Sequence, residues 1–215
     1  MTAEAGMLHE SQRPGMRIGK VLRPASWSEA IELYASLPAA LPTAGATDLL
    51  LEMTRQPATA EAEAVTLIDL WGLPECSQIT IETDDVVVGC GVTHNQIIAE
   101  PGLDSALDLL RMACLEIGSP QLRNRATVVG NVVTASPAND TISALIALDA
   151  SIIMESADGR RELSIREFFT GFRTTALQQS ELVRAIRIPR WTLNTLGTWL
   201  KVGNRSSQAI SVVHA

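Results

Sequence analysis

Two short stretches of small and hydroxylated residues carry the strongest chemical signal in the sequence. In the first, Thr43-Ala44-Gly45-Ala46-Thr47-Asp48 leaves an apolar run at Leu41 and enters a helical pattern at Leu49. A helix start presents backbone N–H groups with no partner inside the helix, and the helix dipole adds to their attraction for an anion such as phosphate. Small side chains let that anion approach the backbone. The second stretch, Arg123 to Asp140, sets Asn131, Thr134, Ser136, Asn139 and Asp140 among apolar residues. A buried polar group left unpaired costs about 1–3 kcal/mol, so these residues need hydrogen-bond partners in the protein or in a ligand. Each stretch also has a purely structural explanation. Thr47 or Asp48 can cap a helix in the first, and Asp140 can cap one at the end of an internal turn network in the second.

A third stretch, Val86-Val87-Val88-Gly89-Cys90-Gly91-Val92-Thr93-His94, imitates the strand, G-x-G and helix of a dinucleotide fingerprint. Its third glycine is replaced by His94, and the strand over 86–89 is expected to pair backwards with 79–82. A tight glycine turn is the better reading.

These segments need elements to hold them. Ser26-Trp27-Ser28-Glu29 has capping-box spacing ahead of Ala30, Ile31, Leu33, Tyr34 and Leu37, which predicts a helix stopped by Pro38. Leu41–Ala44 predicts a strand, 45–48 a turn, Leu49–Met53 a helix and Val65–Leu70 another strand, the order of a βαβ unit with parallel pairing. Ile79–Glu82 and Val86–Gly89 predict a hairpin, and Thr93 to Gln96 repeats the capping-box spacing. Apolar residues at helical steps from Leu103 to Ile117 predict a half-buried helix over 104–116. Thr141–Leu148 predicts a buried helix, Ala150–Ser156 a strand turning at Ala157–Gly159, and Glu181–Ile188 a strand closed by Pro189. Leu196–Val202 and the final ISVVHA complete the strands. The expected fold class is α+β, with a small βαβ N-terminal lobe and a larger mixed lobe.

Composition narrows the function classes. At 215 residues with 46% apolar and 19% charged, the chain can bury a core of its own. Its 17 basic and 24 acidic residues give a net charge of −7, which argues against a nucleic-acid surface but not against a local anion site. Cys76, Cys90 and Cys114 show neither a disulfide framework nor metal-ligand spacing, and three thiols are too few for an iron–sulfur cluster. His9, His94 and His214 are too scattered for a local metal motif. No apolar stretch approaches the ~20 residues of a membrane span, and the start lacks a signal-peptide core, so a cytoplasmic protein is expected. Residues 1–16 read as a loose tail, with Met16 an alternative start.

Taken in order, AGATDLL, then IGSPQLRNRATVVGNVVTASPANDTISALIALDA, then FFTGFRTTALQQSELVRAIRIP resemble one family. It is the FAD-binding subunit of the molybdenum hydroxylases, the family of xanthine dehydrogenase and aerobic carbon monoxide dehydrogenase. The likeness runs from about Val21 to Gln208, with KVGNRSSQAIS similar to the opening of the family's C-terminal domain. It implies a two-lobed, non-Rossmann FAD-binding fold over 17–190, with lobes of about 17–75 and 76–190, and an incomplete C-terminal domain over 191–215. FAD would lie extended, its diphosphate between the first two stretches. Thr43, Ala44, Gly45, Ala46, Thr47, Asp48 and Leu49 would line one side, and Thr127, Gly130, Asn131 and Thr134 the other. Asp140 would accept from a cofactor hydroxyl, Val183 would make an apolar contact, and Lys201 would stand near the flavin ring. The implied activity is electron transfer to a terminal acceptor, served by a molybdopterin-binding large subunit and a small subunit carrying two-iron, two-sulfur clusters.

The sequence departs from the family pattern at two places. Ala46 and Val129 each replace a glycine. Ala46 is tolerable if its φ is negative, and Val129 if its side chain points into the core. Two alternatives stand beside this reading: a self-sufficient NADPH-dependent flavin reductase of the enolpyruvyl-reductase type, and a flavin-free interaction module. Among other residues, Arg123 and Arg125 are expected to serve at the surface or to fix loops rather than to meet an acidic partner or phosphate, Phe168-Phe169 to pack in the core, and Trp191 and Trp199 to cover an edge or partner surface.

Overall fold

Ser26 opens the first helix as its capping spacing requires. Its Oγ accepts from the Glu29 N–H at 3.2 Å, while the Glu29 carboxylate takes the Ala25 N–H at 2.7 Å. A computed structural model describes residues 17–55, 64–103, 107–190, 197–204 and 210–215. The tail read over 1–16, the first turn of the helix read over 104–116, and Trp191 therefore lie outside the described residues.

The N-terminal lobe runs β1 (Arg17–Leu22), α1 (Trp27–Ser36), β2 (Leu41–Thr43), α2 (Thr47–Arg55) and β3 (Ala64–Asp69). Its sheet has the order β1–β3–β2 with both pairs parallel, so the βαβ unit is extended by β1, which hydropathy did not single out. Helix α1 stops with Leu37 as C-cap, ahead of Pro38.

The larger lobe begins with β4 (Ile79–Ile81) and β5 (Asp85–Gly89), followed by α3 (His94–Ala99), α4 (Asp108–Leu115), α5 (Pro120–Arg123), α6 (Val128–Thr134) and α7 (Asp140–Ala147). Next come β6 (Ser151–Ser156), β7 (Gly159–Ser164), α8 (Ile165–Phe168), β8 (Phe169–Gly171), β9 (Thr174–Thr175) and β10 (Leu182–Pro189). The hairpin of β11 (Lys201–Gly203) and β12 (Ser211–His214) ends the chain. The main sheet has the order β4–β5–β10–β6–β7, antiparallel at every step. Because β5 has antiparallel neighbours on both sides, Gly89 ends that strand and Gly91 lies in the turn after it, so neither belongs to a Rossmann crossover.

Two expectations change. The stretch from Arg123 to Asp140 is largely helical: Thr127 caps α6 by accepting the Gly130 N–H at 3.0 Å, and Val128, Val129 and Val132 are buried. Tertiary burial overrides the poor helix propensity of this valine-rich segment. The strand read over Leu196–Val202 starts only at Lys201, and 191–196 lie outside the described residues.

One apolar core joins the lobes, with Ile68, Leu70 and Leu73 packed with Val86, Val88, Leu110, Leu145, Ile152 and Ile186. Phe168 is wholly buried, with Phe169 edge-on at 5.4 Å. Trp199 is also buried, its Nε1 donating to Ser143 Oγ at 3.0 Å, so it fills the interior and does not cover an outer edge. The lobes are tied by Trp27, whose backbone N–H meets Glu75 at 2.7 Å and whose Nε1–H meets Glu155 at 2.6 Å. Near the sheet edge, Arg161 grips the buried Glu181 carboxylate through Nε and Nη2 at 2.6 and 2.7 Å. Burial alone would raise that carboxyl's pKa; Arg161 and the Gln178 N–H outweigh it and hold it low. All three cysteines are free and buried. Among the described residues, no helix is long and apolar enough to cross a membrane, and no group of three acidic, His or Cys side chains could hold a metal.

Candidate functional site

The end of β2 is pinned to the sheet by the Leu70 N–H, which meets Thr43 O at 2.8 Å. Four residues later the chain is already in α2, where Leu50 N–H reaches Ala46 O at 3.0 Å. That reversal puts Ala46 at φ +62°, in the left-handed region. The condition under which Ala46 would fit, a negative φ, is not met: an L-residue is strained here, and glycine is the residue without the penalty. Ala46→Gly is expected to stabilise the fold by roughly 0.5–1 kcal/mol in urea unfolding; a loss of stability would refute the strain.

The opposite wall is built from the α5–α6 junction. Ser119 caps α5 by accepting the Leu122 N–H at 3.2 Å, and Ala126 N–H returns to Leu122 O at 2.8 Å. The chain then bridges to the residues before α3: His94 N–H meets Ala126 O at 3.1 Å, and Val128 N–H meets Val92 O at 3.0 Å. Arg123 donates to Leu115 O, Ile117 O and Asn95, and the Arg125 guanidinium lies 3.8 Å over the Trp71 ring, so both fix loops as expected. Val129 is 3% exposed and packs in the core, so its bulk is directed away from the cleft.

The two walls touch at Gly45. A Cβ there would stand 2.1 Å from Arg125 O and 3.2 Å from Ala126 Cα, a closeness that only glycine permits. Across the gap, the Thr134 hydroxyl lies 3.1 Å from Asp48 Oδ2 and 2.9 Å from Gly130 O. Between the walls runs a cleft of about 560 Å³. Every residue from Thr43 to Leu49 lines it, together with Thr127, Gly130, Asn131 and Thr134. Beneath this surface the Asn131 side chain accepts from Thr141 Oγ1 at 2.5 Å, and its backbone carbonyl accepts from Asn139.

Three other sequence-derived residues stand elsewhere. Val183 lies on β10, facing Met154 across the ladder and 6% exposed. Asp140, the first residue of α7, forms an ion pair with Lys201 Nζ at 2.6 Å, and Ser211 Oγ meets its other oxygen at 2.5 Å. Neither Asp140 nor Lys201 lines the cleft.

His94 does line the cleft, and no sequence signal singled it out for that role. It is wholly buried at the start of α3, with Nδ1 3.4 Å from Cys114 Sγ. Burial, helped by the nearby Arg123 charge, pushes its pKa down to about 4. Its Nε2 and the Thr43 hydroxyl are both buried in the cleft walls without a hydrogen-bond partner among the described residues. Unpaired buried polar atoms are rare and point to a polar occupant. With the N-terminal turn of α2 and the small residues on both walls, they suit an extended ligand with a central anionic linkage, as in a dinucleotide.

Such a cleft, between a parallel βαβ lobe and an antiparallel sheet lobe, has the shape and lining that suit an extended dinucleotide, on a fold outside the Rossmann class. The chain belongs to the family described as the FAD binding domain in molybdopterin dehydrogenase, whose pattern it matches over residues 15–191. It is 33% identical over 183 residues to the FAD subunit of nicotinate dehydrogenase from Eubacterium barkeri, covering 84% of this chain and 60% of that protein. It is 34% identical over 173 residues to the carbon monoxide dehydrogenase medium chain of Hydrogenophaga pseudoflava, covering 80% and 59%. The crystallised carbon monoxide dehydrogenase of the same organism, in a form lacking the Mo-pyranopterin moiety, superimposes with a TM-score of 0.82 at 31% identity, covering 93% of this chain and 67% of that one. The chain thus spans about 60% of the length of the curated relatives it matches.

Proposed function

We propose that this chain binds FAD as the electron-transfer component of a molybdopterin-dependent dehydrogenase or hydroxylase. The observation that carries the reading is the backbone contact of Gly45 with Arg125 and Ala126, which makes two loops distant in sequence the facing walls of one cleft. In this reading the backbone at Gly45–Asp48 and at Thr127–Asn131 holds the FAD diphosphate from opposite sides, with Thr134 beside it. The Asp48–Thr134 hydrogen bond keeps the walls in register. FAD, when bound, supplies the redox chemistry, while the chain binds it, orients it and limits water access.

The substrate would be oxidised on a molybdopterin-binding large subunit, and an iron–sulfur small subunit would relay electrons to this one. The names of the relatives, a FAD subunit and a medium chain, support a multi-subunit setting. The FAD unit is taken as 17–190, and 191–215 as the opening of a further domain. A cytoplasmic location is proposed on the three unpaired, buried thiols.

The test is direct. Purified protein is expected to show flavin absorption bands and to release about one FAD per chain on denaturation. It should not oxidise a substrate by itself, and it should gain dye-reducing activity only when reconstituted with its two partner subunits. A colourless protein that fails to take up added FAD would overturn the proposal and favour the flavin-free module. Reduction of a small substrate by the lone chain with NADPH would favour the self-sufficient reductase.

A further inference from the structure

We propose that His94 donates a hydrogen bond from Nε2–H to an oxygen of the FAD held in the cleft, and that Cys114 is the positioning residue that fixes the required tautomer. The proposal rests on the FAD reading above and adds to it a residue that lies outside both motif loops.

Four observations converge on His94. Its ring is wholly buried, yet it belongs to the lining of the cleft. Its Nε2 is buried and finds no partner among the described residues, a rare state that a ligand oxygen or an ordered water would resolve. Its backbone N–H is bonded to Ala126 O at 3.1 Å, and Gly45 approaches Arg125 and Ala126 from the other wall, so the His94 backbone is anchored at the point where the walls meet. Its other ring nitrogen faces the Cys114 thiol at 3.4 Å.

The last contact bears on which nitrogen carries the proton. Complete burial pushes the Cys114 thiol far above the ordinary thiol range, so it keeps its hydrogen and is able to donate it to Nδ1. Nδ1 then accepts, and the single proton of the neutral ring resides on Nε2. The charge that acts on the ring is the Arg123 guanidinium, itself engaged by Asn95 and the carbonyls of Leu115 and Ile117. That positive charge and the buried setting keep the ring uncharged at neutral pH. His94 is therefore an uncharged donor of fixed direction. It matches an oxygen of the diphosphate or of the sugar-alcohol chain, and the Thr43 hydroxyl, also in the cleft lining and without a partner among the described residues, supplies a second contact of the same polarity.

The experiment uses the full chain, with FAD itself as the probe. In nitrogen-15 NMR of the FAD-free protein, His94 is expected to show a protonated Nε2 and an unprotonated Nδ1. Adding FAD should shift the Nε2–H resonance. His94→Phe should weaken FAD binding about tenfold, the worth of one buried hydrogen bond. His94→Gln, which keeps an N–H donor, should recover part of the loss. Cys114→Ser should preserve the tautomer and the affinity, whereas Cys114→Ala should give a mixture of tautomers and a smaller loss. Wild-type protein that binds FAD with no movement of the Nε2–H resonance, or with equal affinity in a folded His94→Phe, would overturn this inference alone. Wild-type protein that binds no FAD would overturn the underlying reading, and this inference with it.

Discussion

Gly45→Ala is expected to lower FAD affinity by about 2–3 kcal/mol, on the order of 100-fold in Kd. The Cβ would enter 2.1 Å from Arg125 O and 2.9 Å from Arg125 C, and both are backbone atoms of a capped, hydrogen-bonded turn that cannot rotate aside. The β2–α2 turn must therefore withdraw from the α5–α6 junction. That widens the cleft and lengthens the 3.1 Å contact between Thr134 and Asp48. Overpacking of this kind also destabilises a fold by about 1–3 kcal/mol, so the apo-protein should melt earlier. Gly72→Ala is the control, since nothing lies within 4 Å of a Cβ built there. Titration of FAD into the two variants compares them directly. Full affinity in Gly45→Ala would show that the contact between the walls does not shape the site.

Lys201→Met is expected to destabilise the FAD-free chain by about 3–5 kcal/mol. The ammonium is 2.6 Å from Asp140 Oδ2 with side-chain exposures of only 7% and 8%, and it also reaches Glu116 O at 3.2 Å. Removing it strands a carboxylate in a poorly solvated place, where among the described side chains the Ser211 hydroxyl still bonds to it. Lys201→Arg, which keeps the charge, should lose much less. Replacing both partners, with Asp140→Leu added to Lys201→Met, should restore part of the loss, because no unpaired charge remains. Denaturant unfolding measures all three. If Lys201 acts instead on the flavin ring, as the family resemblance implies, Lys201→Met would leave the apo-protein's stability unchanged and shift the flavin's reduction potential.

Much of the scaffold was legible because local chemistry and burial agree. Ser26 with Glu29, and Thr93 with Gln96, announced two helix starts that the hydrogen bonds reproduce. The hairpin around Asp84 was clear from two apolar runs flanking a polar turn. Family likeness, more than periodicity, pointed to the facing loops, since glycine and threonine at a turn carry the same signal whether they cradle a ligand or merely cap a helix. Three features were not readable. Helix α6 is spelled with valines and glycine, and becomes helical only because Val128, Val129 and Val132 find a core. Strand β7, with Arg160, Arg161 and Glu162, has no apolar alternation and is held by the ladder to β6 and by the Arg161–Glu181 pair. Alanine says nothing of a positive φ, so Ala46 became visible as strained only once Leu50 was seen reaching back to its carbonyl.

The placement of β10 bears on how the protein is made. It is the middle strand of the main sheet, between β5 and β6, yet it is encoded after both. During translation at ~5–20 residues per second, β5 emerges from the ribosome about 5–20 s before its neighbour exists. By the end of that interval the nascent chain holds two unmated hairpins, β4–β5 and the later β6–β7, whose Val86, Val88, Ile152 and Met154 side chains have no completed sheet to shelter them. The larger lobe is therefore a natural client for holdase chaperones, and slowed expression at low temperature should favour its recovery over aggregation.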